Sequence, residues 1–253
     1  MIKIIAFIIV YNEEEVIRKC IENAREQGLV PVVIDNGCTD GTIGIAEDLE
    51  VPVFEYKTEK YNVYEMNRWA ILKVKEIGCD WYVLKDADEI FETYDGRKIA
   101  EVVKEADRLG YNCMRFHSYE FWPTVDDDLA IKDFTDRIQY YSYLSDRHLK
   151  MIKNSPEISI NNPHSPRGEI KESPNKLILK HYKFINLEQG RRKVKSRLSR
   201  YGYPPCDKFT SRQYRKFTDE SKFYVLEKNV YSKLYKFDGT WNKKKVFDGW
   251  RGY

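Results

Sequence analysis

The sequence predicts an α/β fold with a mixed, mostly parallel central sheet flanked by helices. Three observations carry this expectation. Apolar, β-branched runs alternate with amphipathic stretches from residue 4 to residue 84, and such alternation builds parallel sheets covered on both faces. The first run, Ile4 to Val10, is apolar at every position, which marks a strand buried on both sides. Turn-forming residues follow the runs at their carboxyl ends, where sheets of this kind bind ligands.

The elements follow in order. Tyr11-Asn12 breaks the first strand. Glu13 to Gln27 then reads as an amphipathic helix, with Val16, Ile17, Cys20, Ile21 and Ala24 at helical spacing and Gly28 as its end. Pro31 to Ile34 is a second buried strand. Asn36-Gly37-Cys38-Thr39-Asp40-Gly41-Thr42 is turn chemistry, in which Thr39 or Asp40 can cap a helix running to Leu49. Val51 to Tyr56 is a third strand, and Tyr64 to Ile77 a helix closed by Gly78. Trp81 to Leu84 is a fourth strand that ends at Asp86. Lys98 to Leu109 reads as a helix and Asn112 to Phe121 as a strand. Beyond them stand short strand-like segments, Ile138–Tyr143, His148–Ile152 and Leu177–His181, and a basic helix over Leu187–Tyr201. The tail after it is rich in Tyr, Lys and Phe and only weakly periodic. No internal repeat or low-complexity linker divides the chain.

Bulk properties narrow the function classes. The 253 residues are 42% hydrophobic and 33% charged, a globular composition. With 43 basic against 40 acidic residues the net charge is +3, which gives no case for nucleic-acid binding. The charge is uneven, however: Arg191 to Arg200 holds six Lys/Arg, either a solvated helix face or a surface for an anionic ligand or membrane. Five scattered cysteines without Cys-x-x-Cys spacing argue against a zinc site or disulfide framework and fit a reducing cytoplasm. Ile4 to Val10 is too short to span a bilayer, so any membrane work is expected to be peripheral.

The chemistry-bearing residues sit at the strand ends. Lys85-Asp86-Ala87-Asp88-Glu89 directly follows the fourth strand. Two carboxylates at i and i+2 share one face of a strand, and a turn at its end can bring both toward one cation. Hard oxygen ligands suit Mg²⁺ or Mn²⁺, which keep positions open for phosphate oxygens. A departing diphosphate needs such neutralisation. Two further turns, Val10-Tyr11-Asn12-Glu13-Glu14 and Ile34-Asp35-Asn36-Gly37-Cys38-Thr39-Asp40-Gly41-Thr42, end the first and second strands.

These three segments resemble the glycosyltransferase family two pattern on the Rossmann-like GT-A fold. There a Tyr-Asn-Glu-Glu turn ends one strand, Asp-x-Gly-Ser-Thr-Asp-Gly-Thr follows a second, and an Asp-x-Asp comes later. Here Cys38 stands in the Ser position. Met66-Asn67-Arg68 and His181-Tyr182-Lys183-Phe184 are looser matches. The resemblance implies a GT-A domain over 1–200, with 1–95 the nucleotide-sugar half and 96–200 the acceptor half. A C-terminal helical or irregular extension over 201–253 packs on it. It implies a donor site of Val10, Tyr11, Asn12, Glu13, Asp35, Arg68, Asp86 and Ala87, and a Mn²⁺ or Mg²⁺ held by Asp88 and His181. An ionised Asp35 can accept the N3–H of a uracil-like base, Tyr11 can lie along it, and Arg68 can fork onto phosphate or hold Asp86. Asn12 and Asp40 can equally just close turns, and Glu14 and Glu15 can favour a helix N-terminus through its dipole.

An inverting transfer also needs a base for the acceptor hydroxyl. The resemblance points to a carboxylate downstream of Asp-x-Asp, and Asp146 sits at the matching place; Glu169, Glu172 and Glu120 compete with it. Among the remaining histidines, His164 is a weaker site candidate, and His117 and His148 read as structural. The expected activity is transfer of a sugar from a nucleoside diphosphate donor, a UDP-sugar foremost, to a hydroxyl of a carbohydrate or lipid-linked acceptor. The rivals are a sugar-phosphate nucleotidyltransferase, disfavoured by the acidic turn after the first strand, and a non-catalytic glycan-binding module.

Overall fold

The computed structural model describes residues 2–58, 63–124, 126–160, 166–201, 235–239 and 241, without the side chains of 63, 64, 146, 147, 159, 160, 194 and 197–201. Its first strand, β1 (Ile4–Val10), is buried on both faces. Ile4 and Ala6 enter one apolar cluster and Ile5 and Phe7 another, as the two-residue period of a strand requires. Beside it run β2 (Val30–Asp35), β3 (Val53–Glu55) and β4 (Trp81–Asp86). β4 divides its side chains the same way, Trp81 and Val83 to the first cluster, Tyr82 and Leu84 to the second.

Helices supply the other wall of each cluster. The first cluster takes Ala24 from α1 (Ile17–Glu26) and Ile99, Val102, Val103 and Ala106 from α4 (Ile99–Arg108). The second takes Ala70 and Val74 from α3 (Val63–Ile77). A short α2 (Thr42–Asp48) joins β2 to β3. The expected covering of a parallel core on both faces is therefore observed.

The sheet order is β3-β2-β1-β4-β7-β6-β10-β5, with β5 (Glu89–Thr93), β6 (Cys113–Trp122), β7 (Tyr140–Lys153) and β10 (Leu177–His181) completing it. β3-β2-β1-β4 pair in parallel; β4 with β7 and β5 with β10 are antiparallel. A separate hairpin pairs β8 (Ile158–Ile160) with β9 (Pro166–Gly168).

The chain divides into two compact units. The first holds Met1–Thr58, Asn62–Ser118 and Leu144–His181, and with them every strand-end motif of interest. The second includes Tyr119–Tyr143 and the chain from Tyr182 onward. It contains α5 (Phe134–Arg137), α6 (Leu187–Tyr201) and β11 (Tyr235–Lys236). Its interior is aromatic: Phe121 stacks on Tyr182 at 4.8 Å, and Trp241 packs on Tyr119 at 4.5 Å and Phe237 at 4.9 Å. Arg137 donates to the carbonyls of Ile131 and Ile185, tying α5 to the segment before α6.

Several elements depart from the sequence expectation: α5, β8, β9 and β11 are additional short elements, and three larger differences stand beside them. The first helix begins at Ile17 and not Glu13, because the turn after β1 uses Glu13 and Glu14 to bond the neighbouring turn. β5 was not foreseen; its short Glu-Ile-Phe-Glu-Thr run is a strand only because β10 pairs with it and Asn23 holds it. The expected segments Ile138–Tyr143 and His148–Ile152 are joined from Tyr140 onward in one continuous strand, β7, through the residues between them, while Ile138 caps α5. The helix over Leu187–Tyr201 and the strand over Leu177–His181 match expectation. Of the 201–253 extension only residues 201, 235–239 and 241 are described.

Glycine and asparagine fix the α1 surroundings. Gly28 ends the helix at φ +74°, and a Cβ there would come within 2.8 Å of the Ala100 Cβ, so only glycine lets α4 approach. Asn23, buried on α1, donates to the Phe91 carbonyl at 3.0 Å and accepts from the Phe91 N–H at 2.8 Å. It also accepts from the buried Lys85 ammonium at 2.9 Å, whose pKa burial lowers and which lies 4.3 Å from the Phe91 ring centre. One amide thus satisfies a strand edge and a buried cation together.

Glu172, a rival for the base, is spent on a structural clamp. Arg115 of β6 binds it bidentately at 2.9 and 2.7 Å, and Lys176 adds a second cation. Arg115 foremost, then Lys176, holds its pKa at about 2 against an ordinary 4.5. A depressed folded-state pKa gives stability that is present above the unfolded value and lost as pH falls through the folded one. Glu172→Gln is therefore expected to lower stability at neutral pH by roughly 1–2 kcal/mol, allowing for partial solvent screening. It should also flatten the decline between about pH 4.5 and 2; urea melts at stepped pH measure both, and an unchanged acid limb refutes the assignment.

Candidate active site

Parallel pairing sets the frame of the site. In the β1–β2 register Val10 stands opposite Asp35, and in the β1–β4 register Ile9 stands opposite Asp86. Neighbouring strands lie about 4.8 Å apart, so Asp35 and Asp86 flank the end of β1 with roughly 10 Å between their backbones. The three strand-end motifs of the sequence are thereby brought to one edge of the sheet. Val10 and Ala87 are buried there, Tyr11 is half-buried, and Asp86 is exposed.

The first two turns are laced together. Asn12 adopts φ +56°, a left-handed conformation that asparagine tolerates better than most residues. Its Oδ1 accepts from the Thr39 N–H at 2.7 Å, and its own N–H donates to Cys38 Sγ at 3.3 Å. The Glu13 N–H donates to Thr42 Oγ1 at 2.8 Å, and the Gly41 N–H donates to Glu14 Oε2 at 2.9 Å. Asp40 accepts from both the N–H and the hydroxyl of Thr42. The Asn12, Glu14 and Asp40 side chains thus serve these turns. Cys38 fills a serine's place by accepting through sulfur, and burial pushes its thiol up to about 12, so it is an inert thiol.

Asp35 is buried, and its Oδ1 accepts from the Gly37 and Cys38 N–H groups at 2.9 and 2.7 Å. Its Oδ2 lies outside those two bonds. Next to it Asn36, also buried, accepts from Thr58 Oγ1 and donates to Met66 Sδ of α3. This places Met66-Asn67-Arg68 beside the β2 end. Asn67 is buried with its Nδ2 lacking a hydrogen-bond partner among the described residues. Arg68 is exposed and makes no ion pair with Asp86 among the described residues.

The Asp86–Glu89 turn joins β4 to β5. Asp88 is buried, and its Oδ1 lies 3.4 Å from Nε2 of His181, the last residue of β10. That is long for an N–H···O hydrogen bond. A carboxylate oxygen and an imidazole nitrogen this near to each other could converge on one cation. A carboxylate and an imidazole are both competent metal ligands. No cluster of three or more His, Cys, Asp or Glu forms around a metal position among the described residues. Two protein ligands with the other positions left to phosphate oxygens and water is how Mg²⁺-type ions are held on nucleotides, so the residues fit the group.

Behind the turn stands a pair that sequence reading missed. Glu89 accepts from the Asp86 N–H at 3.1 Å and from the Lys150 ammonium at 2.6 and 2.8 Å, with Lys150 and Glu89 both buried. Burial raises the Glu89 pKa, and Lys150 opposes that shift. The adjacency of Glu89 to Asp-x-Asp was visible in the sequence; its partner, on a strand far along the chain, was not.

The other expected residues fall as follows. Asp146 lies on β7 in the same unit, but its side chain is outside the described residues, as is His164 altogether. Glu169 is exposed, and Glu120 is buried on β6 in the second unit. His117 contacts the Tyr94 hydroxyl at 2.5 Å through Nδ1. On α6, Arg191, Arg192 and Lys195 are exposed, Lys193 is buried, and Arg192 pairs with Glu188 at 2.7 Å. No helix of the described residues is long and apolar enough to cross a membrane. The described cysteines are all free thiols.

Known proteins resemble this chain over part of its length. Over 108 residues the chain is 30% identical to the SPbeta prophage-derived glycosyltransferase SunS of Bacillus subtilis (strain 168) and to glycosyltransferase SunS of Bacillus phage SPbeta. The match covers 42% of this chain but only 25% of those relatives' length. Among solved structures, a glucosyl-3-phosphoglycerate synthase from Mycobacterium tuberculosis, in complex with Mn²⁺, uridine diphosphate and glucosyl-3-phosphoglycerate, matches at 18% identity and TM-score 0.35. That match covers 47% of this chain and 44% of that one. The model of glycosyl transferase family 2 matches residues 5–151, the span that carries β1, β2, β4 and their three turns, and the chain belongs to that family.

Proposed function

We propose that the protein is an inverting glycosyltransferase that moves a sugar from a nucleoside diphosphate sugar, a UDP-sugar foremost, to a hydroxyl acceptor with Mn²⁺ or Mg²⁺. The observation that carries this is the Asp86-Ala87-Asp88 turn at the carboxyl end of β4. It lies in line with the ends of β1 and β2, with His181 facing Asp88 at 3.4 Å. Family membership supports the class of activity.

The roles follow from bonding capacity. Asp35, a pure acceptor when ionised, takes the N3–H of a uracil-like base through the oxygen not used by its own turn. Tyr11 and the backbone of Val10 to Glu13 lie beside the base. Asp86, exposed at the strand end, meets the ribose or the sugar, and Arg68 supplies a fork for phosphate. Asp88 and His181 would hold the cation, which when bound offsets the charge that grows on the diphosphate. The acceptor hydroxyl oxygen attacks the anomeric carbon as its bond to the diphosphate oxygen breaks, and Asp146 takes the hydroxyl proton. β7 supports that last role: Lys150 of this strand grips the turn through Glu89, and Asp146 follows four residues back, about 13 Å along the strand.

Three expected outcomes test the reading. Asp88→Asn should abolish transfer of a labelled sugar from a UDP-sugar with melting behaviour retained, and EDTA should do the same to the wild type; full turnover in the mutant with chelator present contradicts it. Asp35→Asn keeps an acceptor for the Gly37 and Cys38 N–H groups but removes the charge, so UDP affinity with Mn²⁺ should fall by about 1.5–3 kcal/mol. Calorimetry measures this, and an unchanged Kd removes Asp35 from the base site. Asp146→Asn should lower kcat by about 10²–10⁴-fold with donor affinity nearly constant; if Glu169→Gln has that effect instead, the base lies in the loop after β9 and not on β7.

A further inference from the structure

The turn that presents Asp86 and Asp88 has to keep its shape while a doubly charged cation and a diphosphate come and go. Its two carboxylates flank Ala87, and repulsion between them favours opening the turn. Glu89 places a third carboxylate directly after them. A trio of this kind needs a fixed counter-charge, or one member takes a proton or swings out toward water.

Lys150 meets that need. Its ammonium donates to both Glu89 oxygens, at 2.6 and 2.8 Å, with Lys150 and Glu89 only 3% and 5% exposed at their side chains. A two-point grip leaves the carboxylate one orientation, and in it Oε2 also accepts the Asp86 N–H at 3.1 Å. Glu89 further stands opposite His181 in the β5–β10 register. A single carboxylate therefore touches the backbone of one site residue and is laddered to another, and a cation from a third strand holds it. A buried ion pair adds little to stability compared with apolar residues of similar size, so stability does not account for it.

We infer that Lys150 and Glu89 are positioning residues that set the turn's affinity for its divalent cation without touching the cation themselves. The inference rests on the donor-site reading above. Partners behind metal ligands characteristically change metal affinity by about 10–100-fold when removed.

The test uses the double variant Lys150→Met/Glu89→Gln, which keeps volume, leaves no unpaired buried charge and retains an acceptor for the Asp86 N–H. Free Mn²⁺ is titrated by electron paramagnetic resonance in the presence of UDP, alongside thermal melting and the kcat and KM for the donor sugar. The expected result is Mn²⁺ affinity weakened about 10–100-fold with a melting temperature near that of the wild type, and kcat recovering as Mn²⁺ is raised. Lys153→Met, which breaks a β7 ion pair to Asp107 on α4, is the control and should leave Mn²⁺ affinity unchanged. If the double variant fails to melt cooperatively, Lys150→Gln/Glu89→Gln, which keeps polar side chains at both positions and likewise leaves neither partner charged, reads the same quantity. Wild-type Mn²⁺ affinity in a folded variant overturns the inference and leaves the donor reading standing. Absence of Mn²⁺-dependent UDP binding in the wild type overturns the donor reading itself, and this inference with it.

Discussion

The site depends on the burial of β1 between two apolar clusters, with β2 on one side and β4 on the other. A strand covered on both faces has no freedom to slip, because a shift of one residue would exchange every side chain between the clusters. Parallel pairing then carries that fixed register outward to Asp35 and Asp86. Strand ends are where the backbone leaves the ladder, so polar groups collect there without costing the core anything. The apolar runs of the sequence and its chemistry are therefore one arrangement, seen inside and at the rim.

Polar groups within that core serve the rim. Asn23 satisfies both backbone groups of Phe91 and the buried Lys85 ammonium, which fixes β5 against α1 just beyond the Asp86–Glu89 turn. Lys150 and Glu89 fix the same turn from β7. Each of these groups is buried and partnered, and each partner lies on a different element. Such networks order a loop more sharply than apolar contacts, since their geometry is directional. The lacing of Asn12 and Glu14 to Thr39 and Gly41 does the same for the other two turns.

That lacing also divides residues that look alike in sequence. Asn12 and Asp35 both sit at strand ends in family motifs, yet the Asn12 carbonyl oxygen is occupied by the neighbouring turn, while Asp35 uses one oxygen for its turn and keeps a second. Glu172 and Asp146 are both carboxylates downstream of Asp-x-Asp. Glu172 is locked by Arg115 and Lys176 and held near pKa 2, which leaves it a poor proton acceptor at neutral pH.

By itself the sequence determined the order of strands and helices through Asp86, the turn chemistry after each strand, and the helix over Leu187–Tyr201. Those features rest on local pattern: side-chain period, caps and breakers act within a few residues. It also placed Asp35, Asp86 and Asp88 at the rim, since an acidic turn directly after an apolar run has no other place in a covered parallel sheet. Only the tertiary structure decided that β5 is a strand, that β7 runs unbroken through Leu144 to Arg147, and that Lys150 reaches Glu89. Strand pairing comes from a partner remote in sequence, and a buried ion pair is two ordinary surface-type residues until the fold removes water from around both.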